Sequence, residues 1–171
     1  GQVRVPILPE DNVGTLYEKL MTTGTSLVTE TVDRIAAGDI QPVEQQHIDE
    51  ATLRPAPKIF KEDCRIDWEK PGREIVNFVR GLSPYPAAWT EMYREGDDEA
   101  SSAKIFSASF EPLAHGEASG TLQSDGRTFI RVACADGWIV LGELQIAGKK
   151  RLAVRELLLG WRDVQQCRFR K

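Results

Sequence analysis

The side chains best suited to chemistry in this sequence are cations, and they are unevenly placed. From Lys149 to Lys171 eight basic residues are opposed only by Glu156 and Asp163. An excess of one sign at one end of a chain is the electrostatic footprint of a polyanion partner, or a solvated basic tail. A second group, Arg54, Lys58, Lys61 and Arg65, brackets Ile59 and Phe60. Alternating basic and apolar side chains can follow a nucleic-acid backbone while the apolar ones stay pinned to the protein. A proline-stiffened spacer with solvated lysines is the plainer reading of the same residues. The first 53 residues hold three basic and nine acidic side chains, so the overall charge of −4 conceals a division.

Acid–base and nucleophilic chemistry find less support. His47 lies in a polar stretch and His115 beside Gly116, neither near a Ser, Cys or carboxylate constellation, so both read as incidental surface residues. Cys64, Cys134 and Cys167 are odd in number, far apart and without a Cys-x-x-Cys pair, which indicates neither a disulfide framework nor a zinc site. They read as small buried or semi-buried side chains. Gly142 to Lys149 has the wrong glycine spacing for a phosphate loop and lacks its Ser or Thr. Asp97 and Asp98 fall in the acidic loop Glu95 to Glu99, a solvated hairpin tip. No catalytic residue and no metal ligand is therefore assigned. A hydrophobic content of 41% and a charged content of 28% are those of an ordinary soluble protein. With no run of 18 apolar residues and no signal-peptide pattern, a cytoplasmic location is expected, without a membrane partner.

The elements that must position the cations are organised around Arg80 to Trp89. Ile75, Phe78, Val79 and Leu82 fall on one face of a helix over 71–82, with proline at its start. Gly81 and Ser83 stop it, and Pro84 and Pro86 force a corner from which Ala88 to Tyr93 leaves as a strand. Thereafter the chain reads as a β meander. Phe106, Ala108 and Phe110 share one strand face, and hairpins are expected at Asp125-Gly126 and Asp136-Gly137. Trp138 to Ile146 reads as a central strand in which Gly142 marks a bulge or corner. A short helix over Ala153 to Gly160 and a closing strand or tail over Val164 to Arg170 follow, and the short antiparallel strands suggest a small closed barrel. Upstream, Val3 to Leu8 reads as a strand without a partner. A helix with a Thr15/Glu18 capping box should run to Ala37-Gly38, with a kink or break allowed at Gly24. Periodicity fades from Asp39 to Asp63, where prolines accumulate, and a domain boundary is placed there.

The segments Arg80 to Trp89, Ala56-Pro57-Lys58-Ile59, Arg65-Ile66-Asp67-Trp68 and Leu144 to Arg151 together resemble the C-terminal portion of the methionyl-tRNA formyltransferases, and Pro9 to Leu20 resembles the end of their catalytic domain. The resemblance implies an α+β chain, mainly antiparallel β. Its OB-like C-terminal barrel with a short helix is preceded by a strand and a long helix left over from a Rossmann-like domain. The implied division is 1–38 as the end of the catalytic domain, 39–65 as linker and 66–171 as a tRNA-binding barrel. It further implies an enzyme that transfers a formyl group from 10-formyltetrahydrofolate to methionyl-initiator tRNA in translation initiation. The catalytic Asn, His and Asp and the folate loops would lie upstream, on a missing N-terminal catalytic domain. The chain alone should then be inactive, bind no cofactor and behave as a monomer. Carried over by motif, the RNA-binding residues are Lys58, Lys61, Arg80, Lys149, Lys150 and Arg151; Arg65, Arg162, Arg168 and Arg170 match only in general basicity. Local alternatives stay open, since Lys149 and Lys150 could keep a turn polar after a buried strand and Arg80 could cap its own helix. A barrel from a formyltransferase acting on a small molecule, such as formyltetrahydrofolate dehydrogenase or a sugar-nucleotide formyltransferase, would bind no RNA. A purely structural interaction module is the third reading.

Overall fold

The computed structural model describes residues 1–44, 48–94 and 99–170; His47 and the Glu95, Asp97 and Asp98 part of the acidic tip lie outside them. The chain divides into two compact units, Gly1–Asp11 with Thr15–Ile59, and Asn12–Gly14 with Phe60–Lys171. No described helix is long and apolar enough to cross a membrane.

The first unit is dominated by α1, Val13–Ala36. Its start lies two residues ahead of the expected Thr15 cap because Asp11, only 4% exposed, gathers the local donors. Asp11 accepts from the Leu8 N–H at 2.7 Å, the Thr15 hydroxyl at 3.0 Å and Lys19 Nζ at 2.7 Å. The Lys19 hydrogen bond, followed by that from Leu8, lowers the Asp11 pKa to about 2. Gly24 does not break the helix, which ends at Ala36, two residues before Gly38 at φ +71°. Thr25, Thr29 and Thr31 turn their hydroxyls onto carbonyls four residues back, satisfying them within the helix. None of α1 is buried, and Tyr17, Leu20, Met21, Val28, Val32 and Ile35 stay exposed. Val3 to Leu8 forms no ladder among the described residues; a strand needs a neighbour, and this unit holds none.

The second unit is an antiparallel sheet of seven strands: β1 Ala88–Arg94, β2 Ser101–Glu111, β3 Leu122–Ser124, β4 Ile130–Cys134, β5 Gly137–Ile146, β6 Leu152–Ala153 and β7 Cys167–Phe169. Their order is β3-β4-β5-β2-β1-β7, with β6 paired on β5. A bridge between Thr121 and Arg168, with Phe169 N–H donating to the Gly120 carbonyl at 3.0 Å, brings the two ends of this order together. The result is the nearly closed barrel the meander predicts. α2, Gly72–Leu82, buries Ile75, Val79 and Leu82, and α3, Val154–Leu158, buries Val154, Leu157 and Leu158. Inside, Trp68 is fully buried, stacks on Phe169 at 5.4 Å and donates its indole N–H to Thr90 Oγ1 at 3.0 Å. All three cysteines are buried and free, as small side chains of the core.

Two details refine the strand reading. The bulge expected at Gly142 is present, with Phe106 as the extra residue on β2 and Gly142 as that on β5. Ile105 and Phe106, adjacent in the strand, are both buried. A Cβ on Gly142 would meet the Ser107 hydroxyl, which would have to rotate away to admit it. At Asp136-Gly137 the hairpin exists but the turn is Ala135-Asp136, because Gly137 already pairs with Cys134. Gly137 is needed for close packing under the Glu111 carbonyl and Phe110, and its φ is not positive. Asp136 instead accepts the Gly72 N–H at 2.7 Å, tying the start of α2 to this turn.

Closure depends on Gly120, whose φ is +87° and whose added Cβ would overlap the Phe169 carbonyl. Gly120→Ala is expected to cost about 1–3 kcal/mol from the backbone alone. In urea denaturation followed by circular dichroism the midpoint should fall with an unchanged slope; a wild-type midpoint would contradict this account of closure.

Candidate nucleic-acid interface

Strand register sorts the basic residues by face. Opposite residues in a ladder share a face. Arg168 stands opposite Tyr93, Trp89 opposite Lys104, Lys104 opposite Gln145, and Glu143 opposite Ala153. The residues between them, such as Phe169, Met92, Ile105 and Leu144, are buried in the core. One outer face, spanning β7, β1, β2, β5 and β6, therefore carries Arg168, Tyr93, Glu91, Trp89, Lys104, Gln145 and Glu143.

Lys61 reaches this face by lying over the Trp89 ring, 5.1 Å from its centroid. Arg65 approaches it through a bridge to Trp89 and lies 3.8 Å from Glu91. Arg170 donates to Glu91 at 2.7 Å and to the Tyr93 hydroxyl at 3.0 Å. That hydrogen bond is the main reason the Glu91 carboxyl is held below the usual carboxylate range, with Tyr93 second. Arg151 is paired with Glu143 and lies 4.2 Å from the Phe106 ring centroid. Three of the predicted residues, Arg65, Arg151 and Arg170, are thus matched to carboxylates.

The others differ. Lys149 and Lys150 are exposed in the turn from β5 to β6, where Gly148 has φ +74°. The turn is built from backbone: Lys149 N–H donates to the Ile146 carbonyl at 2.9 Å, and Gln145 Nε2 to the Lys149 carbonyl at 2.9 Å. Neither ammonium forms an ion pair among the described residues. Arg162 and Arg168 are exposed. Arg80, half-buried in the last turn of α2, donates to Asn77 Oδ1 at 3.2 Å. Lys58 is exposed and belongs to the first unit.

Sequence reasoning passed over Lys104 and Trp89. Lys104 was legible as the outward residue between Ala103 and Ile105; Trp89 was visible as a strand residue, but only register shows what it faces. His115 is corrected as well. It is half-buried, its ring 4.6 Å from that of Trp138, with Nε2 2.8 Å from the Gly137 carbonyl. The Glu117 N–H donates to its Nδ1 at 3.2 Å, so Nε2 carries the proton. It pins a loop to the barrel and is no incidental surface residue.

A nearly closed antiparallel barrel, with two helices packed against it and cations on one outer face, defines a class. Residues 58–162 match the formyl transferase C-terminal domain family, and the chain belongs to it. More particularly, it is 48% identical over 161 residues to the methionyl-tRNA formyltransferase of Bacteroides fragilis, covering 94% of this chain and 49% of that one. The methionyl-tRNA formyltransferase of Parabacteroides distasonis is 45% identical over 167 residues, covering 96% and 51%. The chain spans about half the length of the curated relatives it matches. Among solved structures, HypX from Aquifex aeolicus superposes with a TM-score of 0.60 at 18% identity, over 91% of this chain and 27% of that one. HypX in complex with tetrahydrofolic acid gives 0.52 at 20%, over 77% and 22%. These likenesses are of fold.

Proposed function

We propose that this chain is the RNA-holding half of a methionyl-tRNA formyltransferase. The observation that carries the reading is the outer sheet face with its adjoining turn, where Lys61, Lys149, Lys150 and Arg168 present charge without a carboxylate partner among the described residues. Arg65, Arg151 and Arg170, matched to Glu91 and Glu143, act as struts that hold the face in shape. Identity near 48% to enzymes of that name supports the substrate. Lysines and arginines on an open face bind phosphates, which supplies orientation and salt-sensitive affinity with little discrimination among sequences.

On this reading residues 1–38 complete a catalytic domain carried by the rest of the polypeptide, 39–65 link it, and 66–171 grip the initiator tRNA. Formyl transfer from 10-formyltetrahydrofolate takes place on the other half, in the cytoplasm, by a monomer. Lys58 and Arg80 remain proposed RNA contacts from the linker and from the end of α2, and Arg162 from the basic C-terminal stretch.

Filter binding of the 171-residue chain to bulk tRNA tests this. Counting only the four cations of the face and its turn as phosphate contacts, affinity should fall at least roughly 50- to 150-fold between about 50 and 200 mM salt. Absence of binding at the lower salt removes the RNA reading and leaves a barrel serving a small-molecule transferase.

A further inference from the structure

Lys104 and Trp89 lie in a line that crosses three strands. Trp89 on β1 stands opposite Lys104 on β2, which stands opposite Gln145 on β5. Opposite residues on one face have Cβ atoms about 5 Å apart. At one end of the line the Trp89 indole N–H donates to the Lys61 carbonyl at 2.7 Å, while Lys61 Nζ lies 5.1 Å from the centroid of the same ring. At the other end Gln145 Nε2 holds the Lys149 carbonyl at 2.9 Å. Lys61, Lys104 and Lys149 thus follow one another across the sheet, with Trp89 and Gln145 fixing the outer two.

The acids of the face do not cancel this row. Glu91 is matched by Arg170 at 2.7 Å, with Arg65 at 3.8 Å, and Glu143 by Arg151. Asp63 accepts the Phe60 N–H at 2.8 Å. Glu62 and Asp63, exposed beside Lys61, are the acids left to oppose the row, and neither forms an ion pair within 4 Å among the described residues.

We propose that a single RNA strand crosses β1, β2 and β5 along this line, with Lys104 contacting phosphate between Lys61 and Lys149, and with Trp89 as the positioning residue for Lys61. The proposal rests on the RNA-holding reading and adds to it the path of the strand. Charges repeated along a line suit a polymer of phosphates better than a single anion. An ammonium held over an aromatic face keeps its charge and gives up rotamer freedom before binding, so less entropy is lost when the phosphate arrives.

The experiment uses the 171-residue chain and bulk tRNA in filter binding from about 50 to 200 mM salt. Lys104→Gln, a change at an exposed side chain, should weaken binding about 3- to 10-fold and lower the slope of log affinity against log salt by about 0.7. Trp89→Phe keeps a ring and removes the N–H; it should weaken binding about 2- to 5-fold beside Lys61 and less than about twofold in a Lys61→Gln background. Wild-type affinity and slope in Lys104→Gln overturn the path. Additive losses in the Trp89/Lys61 pair overturn the positioning role, since a merely structural tryptophan would weaken both backgrounds alike. Failure of the wild-type chain to bind at low salt would be the failure of the underlying reading, a distinct result.

Discussion

Lys149→Glu with Lys150→Glu is expected to weaken tRNA binding on the order of a hundredfold at about 50 mM salt, by removing two phosphate contacts and adding two repulsions. The neutral pair Lys149→Gln/Lys150→Gln should lower the salt slope by about 1.4. Both side chains are exposed and carry no carboxylate partner among the described residues, so replacing them leaves no buried group unpaired. The turn they occupy is held by backbone groups and by Gln145, none of which the substitutions touch. Stability should therefore be unchanged while affinity collapses. Unchanged affinity in the double glutamate variant would remove this turn from the interface.

The largest expected loss of stability comes from Trp68→Ala. Trp68 is 0% exposed, stacks on Phe169 of the closing strand and donates to Thr90 of β1. Truncation of a buried aromatic costs about 3–5 kcal/mol, and leaving the buried Thr90 oxygen without its donor adds about 1–3 kcal/mol. Against a typical domain stability of about 5–15 kcal/mol, a large fraction of the variant should be unfolded at 37 °C. Trp68→Phe, which keeps the stack and loses the N–H, should fall between. Urea denaturation followed by circular dichroism measures both; a loss below about 1 kcal/mol in Trp68→Ala would contradict the place given to this residue in barrel closure.

Much of this architecture was legible because period-two alternation and hairpin glycines report strands directly. The helix over 71–82, the run of Trp138 to Ile146 and the bulge at Gly142 all follow from local residue chemistry. Local chemistry misled where a distant partner intervened. Thr15 resembles a helix cap, yet its hydroxyl is taken by Asp11, whose burial no pattern announces. Asp136-Gly137 has the composition of a positive-φ turn, yet packing under the Glu111 carbonyl decides the glycine. Cation positions were visible in the sequence, but their pairing was not. That Arg151 and Arg170 meet Glu143 and Glu91 depends on strand register across the sheet. The same register, invisible until strands are paired, brings Lys104 and Trp89 between Lys61 and Lys149.

RNA is proposed to lie on the outer face of β1, β2, β5 and β7. Amide and indole NMR shifts of the ¹⁵N-labelled 171-residue chain, titrated with tRNA at low salt, test it most directly. The Trp89 indole and the amides of residues 102–104, 145–151 and 168–170 should move or broaden, while the buried Trp68 indole and the acidic second half of α1 hold still. Perturbation confined to α1, or to residues of the barrel interior with the outer face silent, would contradict the claim.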